Sequence, residues 1–184
     1  MRFVGFAGSL RADSYNRSLL RTAAKLLPEG VEMEIFDLEG IPPFNEDHLR
    51  DMPERVKALK AIIKGADALL IVTPEYNYSV PGVLKNAIDW ASRPPVDNVF
   101  AGKPVAVMSA STGMIGGARA QYHLRQSFVF LDMHPVNKPE VVVTFAAKKF
   151  DERGNLLDEE TRERVRALLT ALRDWTMRLE AKPS

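Results

Sequence analysis

The stretch Ala68-Leu69-Leu70-Ile71-Val72, followed by Thr73-Pro74-Glu75-Tyr76-Asn77-Tyr78-Ser79-Val80-Pro81-Gly82, decides the fold. An apolar run without alternation needs cover on both faces, which is the environment of a central strand in a parallel sheet. The loop that leaves it is stiffened by Pro74 and Pro81 and gives way to Leu84, Ala87, Ile88 and Ala91, spaced as one stripe of a helix. A strand, a loop and a helix therefore meet here.

The same unit recurs on both sides. Toward the N-terminus, Phe3 to Ala7 reads as a strand that stops at Gly8-Ser9, and Leu19, Leu20, Ala23, Ala24 and Leu27 follow at helical spacing until Pro28 and Gly30. Val31, Met33 and Ile35 alternate as a second strand. Ile41-Pro42-Pro43-Phe44 must be a loop, because consecutive prolines cannot join a ladder. A helix is predicted from Pro53 to Lys64 on Val56, Leu59, Ile62 and Ile63. Toward the C-terminus come a strand from Pro104 to Met108, a helix from Ala118 to Met133 and a strand from Val141 to Phe145. An amphipathic helix from Asp158 to Leu179 turns Val165, Leu168, Leu169, Leu172, Trp175 and Leu179 inward, and Trp90 and Trp175 are expected to anchor the core. Strands alternating with helices through right-handed crossovers give an α/β protein, a doubly wound five-stranded parallel sheet of order 2-1-3-4-5. Ligands of such sheets bind beyond the carboxyl ends of the strands where the order reverses. That point lies between the first and third strands, and it selects the loops from Gly8 to Asn16 and from Thr73 to Gly82.

Composition narrows the chemistry. At 184 residues and 46% hydrophobic, the chain is expected to be one domain, 1–184, around one core. Its 25 basic and 24 acidic residues leave a net charge of +1, so no strong field draws it to nucleic acid or a membrane, and a small molecule is the expected partner. The absence of cysteine excludes disulfides, zinc-thiolate and iron–sulfur ligation and a catalytic thiol, so redox chemistry must come from a bound cofactor. His48, His123 and His134 show no ligand spacing, and no metal is expected. With no signal-like h-region and no apolar run of membrane-spanning length, the expected address is the cytoplasm.

The first loop, Gly8-Ser9-Leu10-Arg11-Ala12-Asp13-Ser14-Tyr15-Asn16, sets hydroxyls, a guanidinium and an amide at a helix mouth, where free N–H groups attract an anion. Arg11 offers paired hydrogen bonds to a phosphate, with Ser9, Ser14 and Asn16 for the other oxygens. The same residues also read as a helix cap, Ser14 or Asp13 being a natural N-cap. Neither G-x-G-x-x-G nor G-x-x-x-x-G-K-[ST] occurs, which tells against a dinucleotide fingerprint and a P-loop and leaves a mononucleotide. Tyr76 and Tyr78 either line a planar ligand or cover the sheet end. A third loop, Ser109 to Gly117, borders the same crevice, and its glycines permit close backbone approach or simply a flexible turn.

Gly-Ser-Leu-Arg-x-x-Ser-x-Asn at Gly8 to Asn16 and Pro-Glu-Tyr-Asn-x-Ser-x-Pro-Gly-x-Leu-Lys-Asn-Ala-Ile-Asp-Trp at Pro74 to Trp90 resemble the NADPH-dependent FMN reductase family. Ile115-Gly116-Gly117-Ala118-Arg119 and Gln121 to Gln126 resemble its bacterial quinone and chromate reductase branch. The resemblance covers nearly the whole chain. It implies a flavodoxin-like fold holding FMN, with NADPH or NADH as hydride donor. It assigns Ser9, Leu10, Arg11, Ser14, Tyr15 and Asn16 to the FMN phosphate loop, and Pro74, Glu75, Tyr76, Asn77 and Tyr78 to the isoalloxazine ring. Ser111 and Gly113 fall beside the flavin. Hydride passes through flavin N5 to quinones, with azo compounds, nitroaromatics and chromate as further acceptors, by ping-pong kinetics and with no side chain acting as acid or base. Arg119, Tyr122 and Glu140 match positions that join dimers in that branch, so a homodimer at least, and a homotetramer, is expected.

Two other classes use the same sheet. A flavodoxin-type one-electron carrier would bind a redox partner protein, usually through a strongly acidic surface that this balanced chain lacks. A flavin-free phosphoesterase would use the first loop alone, without the thiol, metal spacing or G-x-S-x-G such chemistry requires.

Overall fold

Strand β3 (Ala68–Val72) is wholly buried and divides its side chains between two cores. Ala68, Leu70 and Val72 belong to one, Leu69 and Ile71 to the other. This is the physical reason for the unbroken apolar run: each face of the strand packs under a different layer of helices. In the computed structural model, which describes residues 1–181, β1 (Arg2–Ala7) pairs in parallel with β3 and with β2 (Glu32–Ile35), and β4 (Pro104–Ala110) pairs with β3 on the other side.

Helices α1 (Tyr15–Ala24) and α5 (Glu159–Glu180) cover one face through Leu19, Leu20, Val165, Leu168, Leu169 and Leu172. The other face is covered by α2 (Glu54–Lys64), α3 (Gly82–Ala91) and α4 (Ala118–Leu131) through Leu59, Ile63, Leu84, Ile88, Leu124 and Phe128. The order β2-β1-β3-β4-β5 is that of the flavodoxin-like fold. Trp90 is fully buried, its Nε1 donating to the Pro42 carbonyl at 2.8 Å and its ring edge-on to Phe44. Trp175 is only partly buried, packing against the core margin and donating to the His134 carbonyl.

The fifth sheet position corrects the expected single strand. Two short strands fill it: β5 (His134–Pro135) beside the start of β4, and β6 (Val141–Val143) beside its end. Pro135 and Pro139 lack the N–H groups a continuous ladder needs, so the chain leaves the sheet between them. Among the described residues the sheet therefore has six strands rather than five. The expected strand also ends early, because Phe145 is in the left-handed region at φ 49° and carries the chain away. Two helices are shorter than expected. α1 stops at Ala24, leaving Leu26 and Leu27 packed on the core as a loop, and α4 stops at Leu131, where Asp132 caps it with φ 55°. No helix of the described residues is long and apolar enough to cross a membrane.

Candidate functional site

The β1–α1 loop starts where the Gly8 N–H donates to the Val72 carbonyl, which fixes it to the end of β3. Ser14 caps α1: its hydroxyl accepts from the Arg17 N–H, and its own N–H donates to the Arg11 carbonyl. Among the described residues, the backbone N–H groups from Ser9 to Asp13, and those of Tyr15 and Asn16, have no acceptor within the chain. Together with the positive end of α1 they form a cradle for an anion. Arg11 is exposed, its guanidinium donating to the Asp13 carbonyl at 2.6 Å and standing 6.0 Å from the Tyr15 ring. Ser9 is nearly buried and Leu10 is exposed. Tyr15 packs its ring 5.4 Å from Phe150 and so stiffens the loop from beneath.

Asn16 differs from its expected part as a phosphate donor. Its side-chain amide donates to the Ala110 carbonyl and accepts from the Ala110 N–H, both at 2.9 Å. The amide is thereby spent on clamping α1 to the end of β4, and only its backbone N–H faces the cradle.

The β3–α3 loop is a hairpin. Tyr76 and Ser79 exchange backbone hydrogen bonds of 3.0 and 2.9 Å, while Asn77 (φ 49°) and Tyr78 (φ 67°) occupy the two left-handed positions of a two-residue turn. Pro74 is buried at its root, and Tyr76, Asn77 and Tyr78 are exposed at its tip. Glu75 ties this hairpin to α4, accepting from the backbone N–H groups of Arg119 at 3.0 Å and Ala120 at 3.4 Å and pairing with the Arg119 guanidinium at 3.2 Å. Arg119 in turn lies 3.6 Å from the Tyr78 ring centroid, and His123 Nδ1 meets the Ser79 hydroxyl at 3.0 Å. The expected reach of Arg119 to Glu140 of a neighbour therefore competes with a partner inside the chain. Tyr122 and Glu140 are exposed.

The β4–α4 loop completes the set. Ser111 accepts from the Gly113 N–H at 3.2 Å, and Gly117 (φ 89°) brings the chain so close to β4 that a Cβ would stand 2.7 Å from that of Ser109. Close approach, rather than flexibility, explains that glycine. Gln121, which no local signal marks, holds the loop from below by donating to the Ser109 hydroxyl and the Val141 carbonyl. The three loops thus frame an open shelf at the carboxyl ends of β1, β3 and β4, with an anion cradle at one end and exposed tyrosines at the other. A separate cavity of about 440 Å³, between β5 and α5, is lined by Trp175, Lys138 and Arg178 and lies away from these loops.

Free N–H groups at a helix mouth beside exposed tyrosines at the switch point are the features a mononucleotide site needs in a flavodoxin-like fold. Residues 1–148 match the family described as NADPH-dependent FMN reductase. The chain is 52% identical over 180 residues to an NAD(P)H-dependent FMN reductase of Pseudomonas aeruginosa, covering 97% of both chains. It is 44% identical over 184 residues to a quinone reductase of Escherichia coli, covering 98% of this chain and 97% of that one. Among solved structures, the FerB flavoenzyme of Paracoccus denitrificans, an NAD(P)H:acceptor oxidoreductase, superposes with a TM-score of 0.88 at 37% identity, over 96% of this chain and 97% of that one. The chain belongs to the NADPH-dependent FMN reductase family. It is an enzyme whose cofactors are FMN and a nicotinamide nucleotide.

Proposed function

We propose that this enzyme passes a hydride from NAD(P)H to a quinone, one substrate after the other at the same open shelf. The observation that carries the reading is the set of N–H groups of Ser9 to Asp13, Tyr15 and Asn16 that have no acceptor among the described residues, at the switch point beside a hairpin with exposed tyrosines. Those N–H groups and Arg11 fit a phosphate monoester, and the neighbouring shelf fits a planar ring with polar edges. Bound there, FMN supplies the hydride relay at its N5 atom.

The protein's own part is to bind and orient. Arg11 neutralises phosphate charge, Ser9 and Ser14 border it, and Tyr15 and Asn16 contribute backbone N–H groups. Glu75, by fixing the hairpin to α4, sets where Pro74, Tyr76, Asn77 and Tyr78 present themselves to the ring. Ser111 and Gly113 form the adjoining edge. No side chain on the shelf is required as an acid or base, because the acceptor takes its proton from solvent. The quinone reductase name of the Escherichia coli relative and the acceptor oxidoreductase name of FerB support a small acceptor of this class.

The purified protein should show the visible spectrum of oxidised flavin, and denaturation should release FMN rather than FAD. Initial rates with NADPH and a benzoquinone should give parallel double-reciprocal lines. A colourless protein that also fails to take up added FMN overturns the reading. Intersecting lines would require two separate substrate sites.

A further inference from the structure

Phe145 stands at the end of β6 in the left-handed region, at φ 49° and ψ 43°. A bulky L-residue is strained there, whereas glycine is not. Burial does not offset the strain, because the ring is 48% exposed. Its backbone is pinned on both sides to the β4–α4 loop: the Phe145 N–H donates to the Gly113 carbonyl at 3.3 Å, and the Ala146 N–H donates to the Ser111 carbonyl at 2.9 Å. The half-exposed Phe145 is thereby tied to the loop that borders the shelf, on which Met114 and Ile115 are also exposed, at 72% and 41%. Lys148 sets a positive charge 5.8 Å from the ring centroid.

We propose that Phe145 selects the electron acceptor, as an aromatic platform on the rim of the shelf that favours flat, fused-ring quinones over compact acceptors. A strained, half-exposed aromatic gains little from its own packing, but it offers a face on which a second flat ring can lie. The adjacent ammonium complements the electron-rich oxygens of a quinone. Met114 and Ile115 extend the apolar rim on the loop to which Phe145 is bonded. The inference rests on the reading of Ser111 and Gly113 as neighbours of the flavin ring.

The test uses the FMN-loaded enzyme and its Phe145→Ala, Phe145→Tyr and Phe145→Gly variants. Three quantities are compared: the FMN dissociation constant by fluorescence, the affinity for 2-naphthoate by calorimetry, and the ratio of kcat/KM for 1,4-naphthoquinone to that for ferricyanide. In Phe145→Ala the ratio should fall about fivefold, through KM, and 2-naphthoate should weaken by a similar factor, the scale of one aromatic stacking contact. Phe145→Tyr should retain both. Phe145→Gly, free of the left-handed strain, should melt no lower than Phe145→Ala and show the same loss of ratio. An Ala variant replete with FMN whose ratio stays within about twofold of the original overturns the proposal alone. FMN binding that weakens more than 2-naphthoate binding also overturns it, by making the ring part of the cofactor seat. A wild-type protein that holds no flavin fails earlier, at the functional reading itself.

Discussion

Asn16 bonds both ways with the backbone of Ala110 across 94 residues of chain, and it is almost completely buried. Removing such an amide leaves a buried carbonyl and a buried N–H without partners. Asn16→Ala should therefore cost about 1 to 3 kcal/mol in chemical denaturation. Arg11, on the same loop, is exposed and bonds only locally. Arg11→Ala should leave the denaturation midpoint nearly unchanged while weakening FMN by about 1.5 to 3 kcal/mol, the scale of a charged hydrogen bond, as read by fluorescence titration. Unchanged FMN affinity would place the phosphate elsewhere. The two residues also show what a sequence makes legible at this scale. Ser14 is readable as an N-cap because its partner, the Arg17 N–H, is three residues away. Asn16 and Glu75 are not, because Ala110 and Arg119 are distant partners that only the folded sheet brings near.

Elements with a strong period or a strong breaker were legible. β3 announced itself by its unbroken apolar run, and the loop at Pro42-Pro43 by its lack of donors. The early end of β6 was harder, since Val141 to Phe145 carries full β propensity, and it is the left-handed backbone of Phe145, not its residue type, that turns the chain away after Val143. Helix α5 starts from a cap whose chemistry gives a pH test. Asp158 accepts from the Thr161 N–H at 3.0 Å and from its hydroxyl, and pairs with Lys149 at 3.1 Å. The Thr161 hydroxyl first, and then Lys149, hold the Asp158 carboxyl below its ordinary 3.8. Because the folded value is depressed, the stabilisation is present above 3.8 and is lost as the pH falls through the lower folded value. Asp158→Ala should cost about 1 kcal/mol at neutral pH, the usual worth of an N-cap. The gap between the two melting curves should narrow as the pH falls below 3.8 and vanish only once the folded carboxyl is protonated. A gap that persists in acid would mean that packing, not the ionised cap, carries the effect.

At the scale of the whole molecule, the fold and the position of the site follow from strand order, because a parallel sheet wound in both directions leaves one crevice where the order reverses. What strand order does not reveal is the surface left over. Of the apolar side chains on α4, Phe128 and Leu131 turn to the sheet and belong to the core. Tyr122, Val129 and Phe130 remain outside, at 54%, 85% and 73% exposure, and Val96 beside α3 is exposed as well. Apolar rings and branched chains so open to water cost free energy that a second copy of the chain recovers by covering them. The shelf itself is open on the side of the exposed Tyr76, Tyr78 and Met114, so a partner subunit that closes it joins assembly to activity. We propose an assembly of at least a homodimer, extending to a tetramer, in solution at micromolar concentration. Val129→Glu combined with Phe130→Glu places two charges on that face without touching the core, and should lower the mass seen by light scattering to that of the monomer and reduce turnover with it. A monomeric wild type that turns over fully would end this reading. A separate substitution, Glu140→Ala, asks whether Arg119 leaves its internal partner Glu75 to join dimers into a tetramer: a tetramer that survives the change takes Arg119, Tyr122 and Glu140 out of the assembly, and one that falls to dimers keeps them in it.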